Sequence, residues 1–140
     1  MAGELGYLSA GFPISLTFML PNMGIGATTV MTGAQVTPGY KVPTGYKFIP
    51  MLIAVSVSGE LTGGTCIAKV TADGTAVVNG PEATVALATP KQHATAVVRA
   101  GKPAPIAAGS VVGAVLVTDA QYLANTLDYD VTVAGVLLPA

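Results

Sequence analysis

Residues 42–58 read VPTGYKFIPMLIAVSVS, and the alternation of their side chains indicates the fold class of the chain. Large apolar residues occupy every odd position from Ile49 to Val57, whereas the even positions from 52 onward are smaller or polar. A period of two predicts a strand with one face on a core. Because Pro50 has no N–H for a central ladder, we place the strand at residues 51–57, with residues 48–50 as an irregular lead-in. The side chains predicted to face the core are Met51, Ile53, Val55 and Val57.

Turn residues divide the rest of the chain into further short extended runs. Asp73-Gly74 separates two of them and predicts a two-residue hairpin, because both central positions of a type I′ turn need positive φ. In the last run, Val131 and Val133 are predicted core residues, and Gly135 indicates a bulge or a close backbone approach. Residues 119–127 have some helical composition but are too short for more than a turn or two. The predicted runs are residues 14–20, 65–72, 75–78, 83–88, 110–118 and 129–138, with short candidate strands at residues 27–31, 40–42 and 94–99.

This pattern of about eight strands without a useful amphipathic helix predicts an all-β fold, an antiparallel sandwich or barrel. The length of 140 residues suits one domain. We divide it into residues 1–38, an N-terminal arm or extension with a strand, and residues 39–140, a β-sandwich domain. Cys66, the single cysteine, excludes an intrachain disulfide and is predicted to be a small buried apolar residue.

The charge content excludes several classes of function. Only 9% of residues are charged, against about 25% in an ordinary domain. The sequence has no Lys/Arg cluster of the kind that binds nucleic acids. It also has no apolar run as long as a membrane helix. Glu4 stands where a signal peptide would be positive, so we expect no export by that route. Either much of the surface faces another protein, or it is built from Ser, Thr, Ala and Gly; the first reading is favoured.

Residues for catalysis or metal binding are few. His93 is the only histidine and falls in a predicted loop, so neither a histidine-based metal site nor activation of Cys66 as a nucleophile is favoured. Asp128 and Asp130 share one face of an extended segment, and with Asp119 they form a candidate site for a hard cation such as calcium. The alternative is that the charges of Asp128 and Asp130 prevent another chain from pairing with a strand edge. We therefore expect no enzyme, no cofactor and no resident metal.

Several phrases of the sequence resemble those of one family. Residues 42–50 match a V-P-x-G-x-x-F-x-P opening that leads into a long strand, and the Gly- and Thr-rich loop 59–64 and the hairpin 71–75 follow it. The step at residues 106–110 before strand 111–118, and the ending 130–138, are also similar. Over residues 40–138 the chain resembles small tailed-bacteriophage virion proteins: capsid decoration (cement) or head-fibre proteins. The 40 or so N-terminal residues depart from that pattern.

The resemblance implies a jelly-roll-like sandwich that binds the phage major capsid protein, often as a homotrimer, on the outer capsid surface of a virion assembled in the host cytoplasm. We expect the interface to include the N-terminal segment and the doubly apolar strand 111–117. The candidate interface residues are Leu5, Tyr7, Leu8, Phe12, Val111, Val115 and Val117. The alternative function is a fibre or receptor-binding module for glycans, for which the loops of Tyr122 and His93 are the candidates. A third reading is a non-viral adhesin or matrix subunit.

Overall fold

The strands form two antiparallel sheets in the computed structural model, which describes residues 11–23, 29–32, 40–86, 93–97, 102–123 and 127–140. Eight strands have four or more residues, and two short ones, β3 and β6, have two residues each. The strands in chain order are β1 (Phe12–Met23), β2 (Thr29–Thr32), β3 (Tyr40–Lys41), β4 (Tyr46–Val57), β5 (Thr65–Ala72), β6 (Thr75–Ala76), β7 (Glu82–Ala86), β8 (His93–Val97), β9 (Val111–Thr118) and β10 (Leu127–Pro139).

The order of the strands gives the topology of a jelly roll. The first sheet has the order β1-β10-β4-β8, and in the second sheet β2, β9, β5 and β7 are neighbours, with β3 beside β9 and β6 beside β5. The chain therefore crosses from one sheet to the other at six of the nine connections between the described strands, and its first and last strands are adjacent. Eight antiparallel strands in two sheets with these crossings form a double Greek key. The prediction of an all-β antiparallel sandwich is confirmed.

The core lies between the two sheets, and β5 shows how the sequence builds it. Cys66, Ala68 and Val70 are buried, whereas Ile67 and Lys69 are half-buried on the other face. The strand has the predicted range 65–72. The hairpin that follows has φ of 50° at Asp73 and 85° at Gly74, as a type I′ turn requires. A two-residue turn of this kind fixes the register of β5 against β6.

A bulge in β4 corrects one core prediction. Ile53, Val55 and Val57 are buried as predicted, but Met51 is 45% exposed. The register against β10 shifts between Leu52, opposite Ala134, and Pro50, opposite Gly135, so Met51 is the extra residue. The bulge reverses the alternation, and Phe48 and Pro50 are buried on the far side of it.

The opposite strand was predicted correctly at this point. Val131 and Val133 of β10 are fully buried. A Cβ on Gly135 would collide with the carbonyl oxygen of Ile49 and would lie 2.8 Å from the ring of Phe48. The predicted bulge or close approach at Gly135 is therefore confirmed. Only a residue without a side chain lets the two backbones approach closely enough where β4 bulges.

The N-terminal segment supplies strands to both sheets. β1 pairs with β10 from Phe12 to Met23, and β2 pairs with β9. The predicted end of the first strand at Pro21 is wrong, because β1 continues past a register shift to Met23, which is buried. Residues 1–10 lie outside the described part of the chain. The division at residue 38 stays a prediction.

Candidate interaction surfaces

Three central rows on the outer face of the first sheet, across β1, β10 and β4, carry no charged side chain. Across β1, β10 and β4 the register aligns Pro13 with Val136 and Ile49, and the next two rows continue the face with small or apolar side chains. All of these side chains are exposed or half-buried. We define the uncharged face as Pro13, Ser15, Thr17, Ile49, Leu52, Ala54, Thr132, Ala134 and Val136. Ordinary exposed sheet faces carry Lys and Glu, so this surface is typical of one that meets another protein.

The uncharged face ends in charged rows. At one end Lys47 of β4 pairs with Leu138, and at the other Asp130 lies between Met19 and Ser56. Within the face the polar groups satisfy one another: the hydroxyl oxygens of Thr17 and Thr132 lie 3.2 Å apart across the β1–β10 ladder. Sequence reasoning missed this face because the relevant positions come from three strands that are distant in sequence.

The strand proposed as an interface, β9, lies in the middle of the second sheet. Val111, Val115 and Val117 are half-buried on its outer side, while Val112 and Leu116 are fully buried in the core. Beside Val117 lies Ile67 of β5, and beside Val115 lies Lys69, which forms an ion pair with Glu82 at 3.6 Å. The outer side of β9 is therefore an apolar stripe bordered by a charge pair. Its role in an interface stays a prediction.

The predicted N-terminal contact residues are described only at Phe12. Its ring is 47% exposed and packs edge-to-face on Tyr46, with centroids 6.0 Å apart. Leu5, Tyr7 and Leu8 lie outside the described residues. Phe12 thus marks one exposed apolar corner at the start of β1, on the core side of the sheet, because it pairs with the buried Leu137.

The loop of Tyr122 does not present an aromatic ring to a ligand. Tyr122 is only 2% exposed, and its hydroxyl lies 2.9 Å from the hydroxyl of Tyr129, which is fully buried. The residues just before Tyr122 form a turn, not a helix. Leu123, just after it, forms an isolated bridge with Gly63 in the loop after β4. The ring is therefore part of the core, which the sequence did not indicate. The prediction that His93 lies in a loop is wrong, because it is the first residue of β8.

Cys66 joins the same buried cluster. Burial raises the pKa of its thiol to about 11, and a hydrogen bond with the Tyr129 side chain opposes this only in part. Burial is also the main cause of a raised pKa at Tyr129, and it raises the pKa of Tyr122. All three groups are held in their neutral forms at physiological pH. An activated thiolate needs the opposite environment, so this cluster is structural.

The three acidic residues predicted as cation ligands do not form one group of ligands. The carboxylate of Asp119 accepts hydrogen bonds from the Thr65 hydroxyl at 3.0 Å and from the Gln121 N–H at 3.1 Å, which fixes the turn after β9. Asp128 and Asp130 line an open cleft of about 370 Å³ at the end of the first sheet, together with Met19. Among the described residues, no three His, Cys, Asp or Glu side chains are grouped as metal ligands would be. The structure does not bring Asp119 into the predicted set.

No helix in the described ranges is long and apolar enough to span a membrane. No family model and no curated protein matches the sequence.

Among solved structures, the chain is similar to viral capsid proteins. The capsid of Helicobacter pylori bacteriophage KHP30 matches with 14% identity and a TM-score of 0.46, over 93% of this chain and 94% of that one. The cyanophage Pam1 capsid matches with 11% identity and a TM-score of 0.44, over 93% and 87%. The tobacco streak virus coat protein matches with 10% identity and a TM-score of 0.41, over 91% and 88%. At these values the matches do not bear on function, and the topology above rests on the strand pairing itself.

Proposed function

We propose that this chain is a structural virion protein without enzymatic activity: a capsid decoration (cement) protein that binds across major capsid protein subunits and stabilises the head. The observation that carries the proposal is the uncharged face, a broad exposed surface on the first sheet. A protein that functions through interfaces needs uncharged surfaces, whereas a monomeric soluble protein usually has charged side chains at such positions. The resemblance of residues 40–138 to phage decoration proteins supports the same role.

The mechanism is non-covalent clamping. Each copy places the uncharged face across more than one capsid subunit, so that opening the shell must also break these contacts. Residues 1–12, with Leu5, Tyr7, Leu8 and Phe12, attach the protein to the outer capsid surface after the head has assembled in the host cytoplasm. The apolar stripe of β9 packs between copies in a homotrimer, where closed symmetry covers it in every subunit.

Two matched variants test the oligomer. Val115→Asp introduces a charge into the apolar stripe, whereas Thr84→Asp places the same charge on β7, at an exposed position of the same sheet. Light scattering after size exclusion is expected to give a trimer for the parent and for Thr84→Asp, and a monomer for Val115→Asp. A Val115→Asp protein that keeps the trimeric mass would contradict the role of the stripe.

The alternative role, a fibre module that recognises glycans, lacks its main candidate because the Tyr122 ring is buried. Exposed aromatic rings are what sugar-binding sites use for stacking. A glycan-array screen of the free protein separates the two roles, since the decoration protein is expected to bind capsids and no glycan.

A further inference from the structure

The outer edge of β1 is a strand edge without the usual protection. Within the described ranges β1 pairs with β10 alone and ends the first sheet. The strand is 12 residues long, and its sequence, FPISLTFMLPNM, contains no charged residue. Natural edge strands are mostly short or carry Lys to prevent pairing with another chain. An edge of this length and composition is suited to pairing with a further strand.

Pro13 shows which backbone groups point toward that edge. It pairs with Val136 in a continuous antiparallel ladder, but it has no N–H to donate, so this pair is of the non-hydrogen-bonded kind. Pairs alternate along the ladder, so the even residues of β1 bond to β10. The close approach of the Thr17 and Thr132 hydroxyls agrees, because side chains are nearest in non-hydrogen-bonded pairs. The residues that direct their N–H and C=O outward are therefore Ser15, Thr17 and Met19.

The outward groups are arranged symmetrically about Thr17. Pro13 and Pro21 bound the set at equal distances in sequence, and neither has an N–H. An antiparallel partner with the same sequence, related by a two-fold axis at Thr17, places Thr17 opposite its own counterpart and Ser15 opposite Met19 of the second copy. Pro13 then lies near Pro21 of the second copy, at the register shift that ends the regular part of β1, and neither proline has a donor to lose. We propose that two copies of this chain pair through β1 in this register and join their first sheets into one.

The side chains of β1 fit the same pairing. Ile14, Leu16 and Leu20 point toward the core yet are only half-buried, since no strand of the described part of the chain lies beyond β1. In the two-fold register Leu16 lies opposite Phe18 of the second copy, and Ile14 lies opposite Leu20. Apolar cross-strand pairs of this kind stabilise a sheet, and the strand has no like charges to oppose them. The pairing completes the burial of residues that the single chain covers in part.

The expected affinity is modest. At about 3.4 Å per residue the edge is roughly 40 Å long, but it is only one strand thick, so it buries less than the roughly 800 Å² per partner of a standard interface. We expect the β1 contact to be open at low micromolar concentration and formed at several hundred micromolar, whatever oligomer the stripe of β9 builds. The contact does not use the apolar stripe of β9, and it does not depend on the proposed decoration role.

Disulfide trapping tests the register. Residues opposite each other in a hydrogen-bonded antiparallel pair have Cα atoms about 5.5 Å apart, within the range that a disulfide spans. Oxidation of Thr17→Cys at high protein concentration is expected to give a covalent dimer. Ser15→Cys is the matched control, because the two copies of residue 15 lie about 14 Å apart in this register. Both positions are exposed, and the native Cys66 is buried.

A mixture of two single-cysteine proteins completes the design. Ser15→Cys and Met19→Cys are expected to crosslink with each other and not with themselves. Equal crosslinking of all three variants would indicate random collision and would overturn the proposal. Sedimentation equilibrium gives a second readout: Thr17→Lys, which places two ammonium groups together on the axis, is expected to weaken dimerisation at least tenfold, and Ser15→Lys less. A folded Thr17→Cys protein that forms no crosslink at any concentration would contradict the pairing. Coverage of the edge by residues 1–10 of the same chain would give this result.

Discussion

Gly135 and Pro50 lie opposite each other where the register between β10 and β4 shifts by one residue. The shift lets the long strand β4 bury Phe48 before the bulge and Ile53 after it. A proline that cannot donate and a glycine that offers no side chain thus stand together at the one irregular point between the two longest-paired strands. The register shift at this pair is also the reason why Met51, the extra residue, is exposed.

Gly135→Ala is expected to destabilise the protein by about 3 kcal/mol, because the new Cβ overlaps the Ile49 carbonyl and the Phe48 ring. Gly109→Ala is the control: it has φ of 86° and nothing within 4 Å of the added atom, so only backbone strain of about 1 kcal/mol is expected. Urea denaturation of both variants measures the difference. Equal losses would show that the close approach at Gly135 is absent.

The two sides of the bulge differ in how much a truncation destabilises. Ile53→Ala removes a fully buried side chain and is expected to lower the free energy of unfolding by roughly 3 kcal/mol. Met51→Ala removes an exposed one, and a loss below about 1 kcal/mol is expected. Thermal unfolding of the two variants tests the register directly, since an unbroken alternation along β4 would make Met51→Ala the costly change.

The buried Tyr122–Tyr129 hydrogen bond gives a third prediction. Tyr129→Phe leaves the Tyr122 hydroxyl without this partner in the core, so a loss of about 1–3 kcal/mol is expected. Tyr122→Phe is expected to act similarly, and the double variant to lose clearly less than the sum of the two. The double-mutant cycle from chemical denaturation measures the coupling. Strict additivity would mean that the two hydroxyls are independent.

The thiol of Cys66 is expected to be unreactive in the folded protein. It is 1% exposed, and burial raises its pKa to about 11, so little thiolate exists at pH 8. Labelling by a disulfide reagent such as Ellman's reagent is expected to be slow in buffer and fast in denaturant. Fast stoichiometric labelling of the native protein would contradict the buried placement.

The same shift predicts a loss of stability at high pH. The unfolded chain releases the thiol proton near pH 9, while the folded protein holds it until about pH 11. The native state therefore binds more protons in this window, and the free energy of unfolding falls as pH rises through it. Unfolding curves between pH 8 and 11 for the parent and Cys66→Ala measure this, and the variant is expected to show the shallower decline below pH 10, where the tyrosines begin to contribute.

The sequence predicted the fold where alternation and turn chemistry are local. The period of two over residues 65–72 and the Asp73-Gly74 turn led directly to β5 and its hairpin. The two-sided apolar composition of residues 110–118 also located β9, a central strand of the second sheet. In these segments a residue's neighbours in sequence decide its environment.

The predictions were wrong where strands distant in sequence determine whether a side chain is buried. Met51 keeps the alternation of its own segment, but the register of β10 displaces it to the surface. Tyr122 stands in a short segment of mixed composition, and its hydroxyl meets that of Tyr129, which a different element supplies. The uncharged face likewise requires the order β1-β10-β4, which no local pattern contains. Both Pro50 and Gly135 were signals of the bulge, although neither alone indicates its register.

The most direct test of the decoration role is co-sedimentation with empty heads assembled from the major capsid protein of the same genome, with the native mass of the free protein measured in parallel. We expect a trimer that pellets with the heads at saturating, stoichiometric occupancy, and that loses attachment but not its β-rich circular dichroism when residues 1–11 are deleted. A folded protein that remains in the supernatant at every concentration of heads would contradict the account.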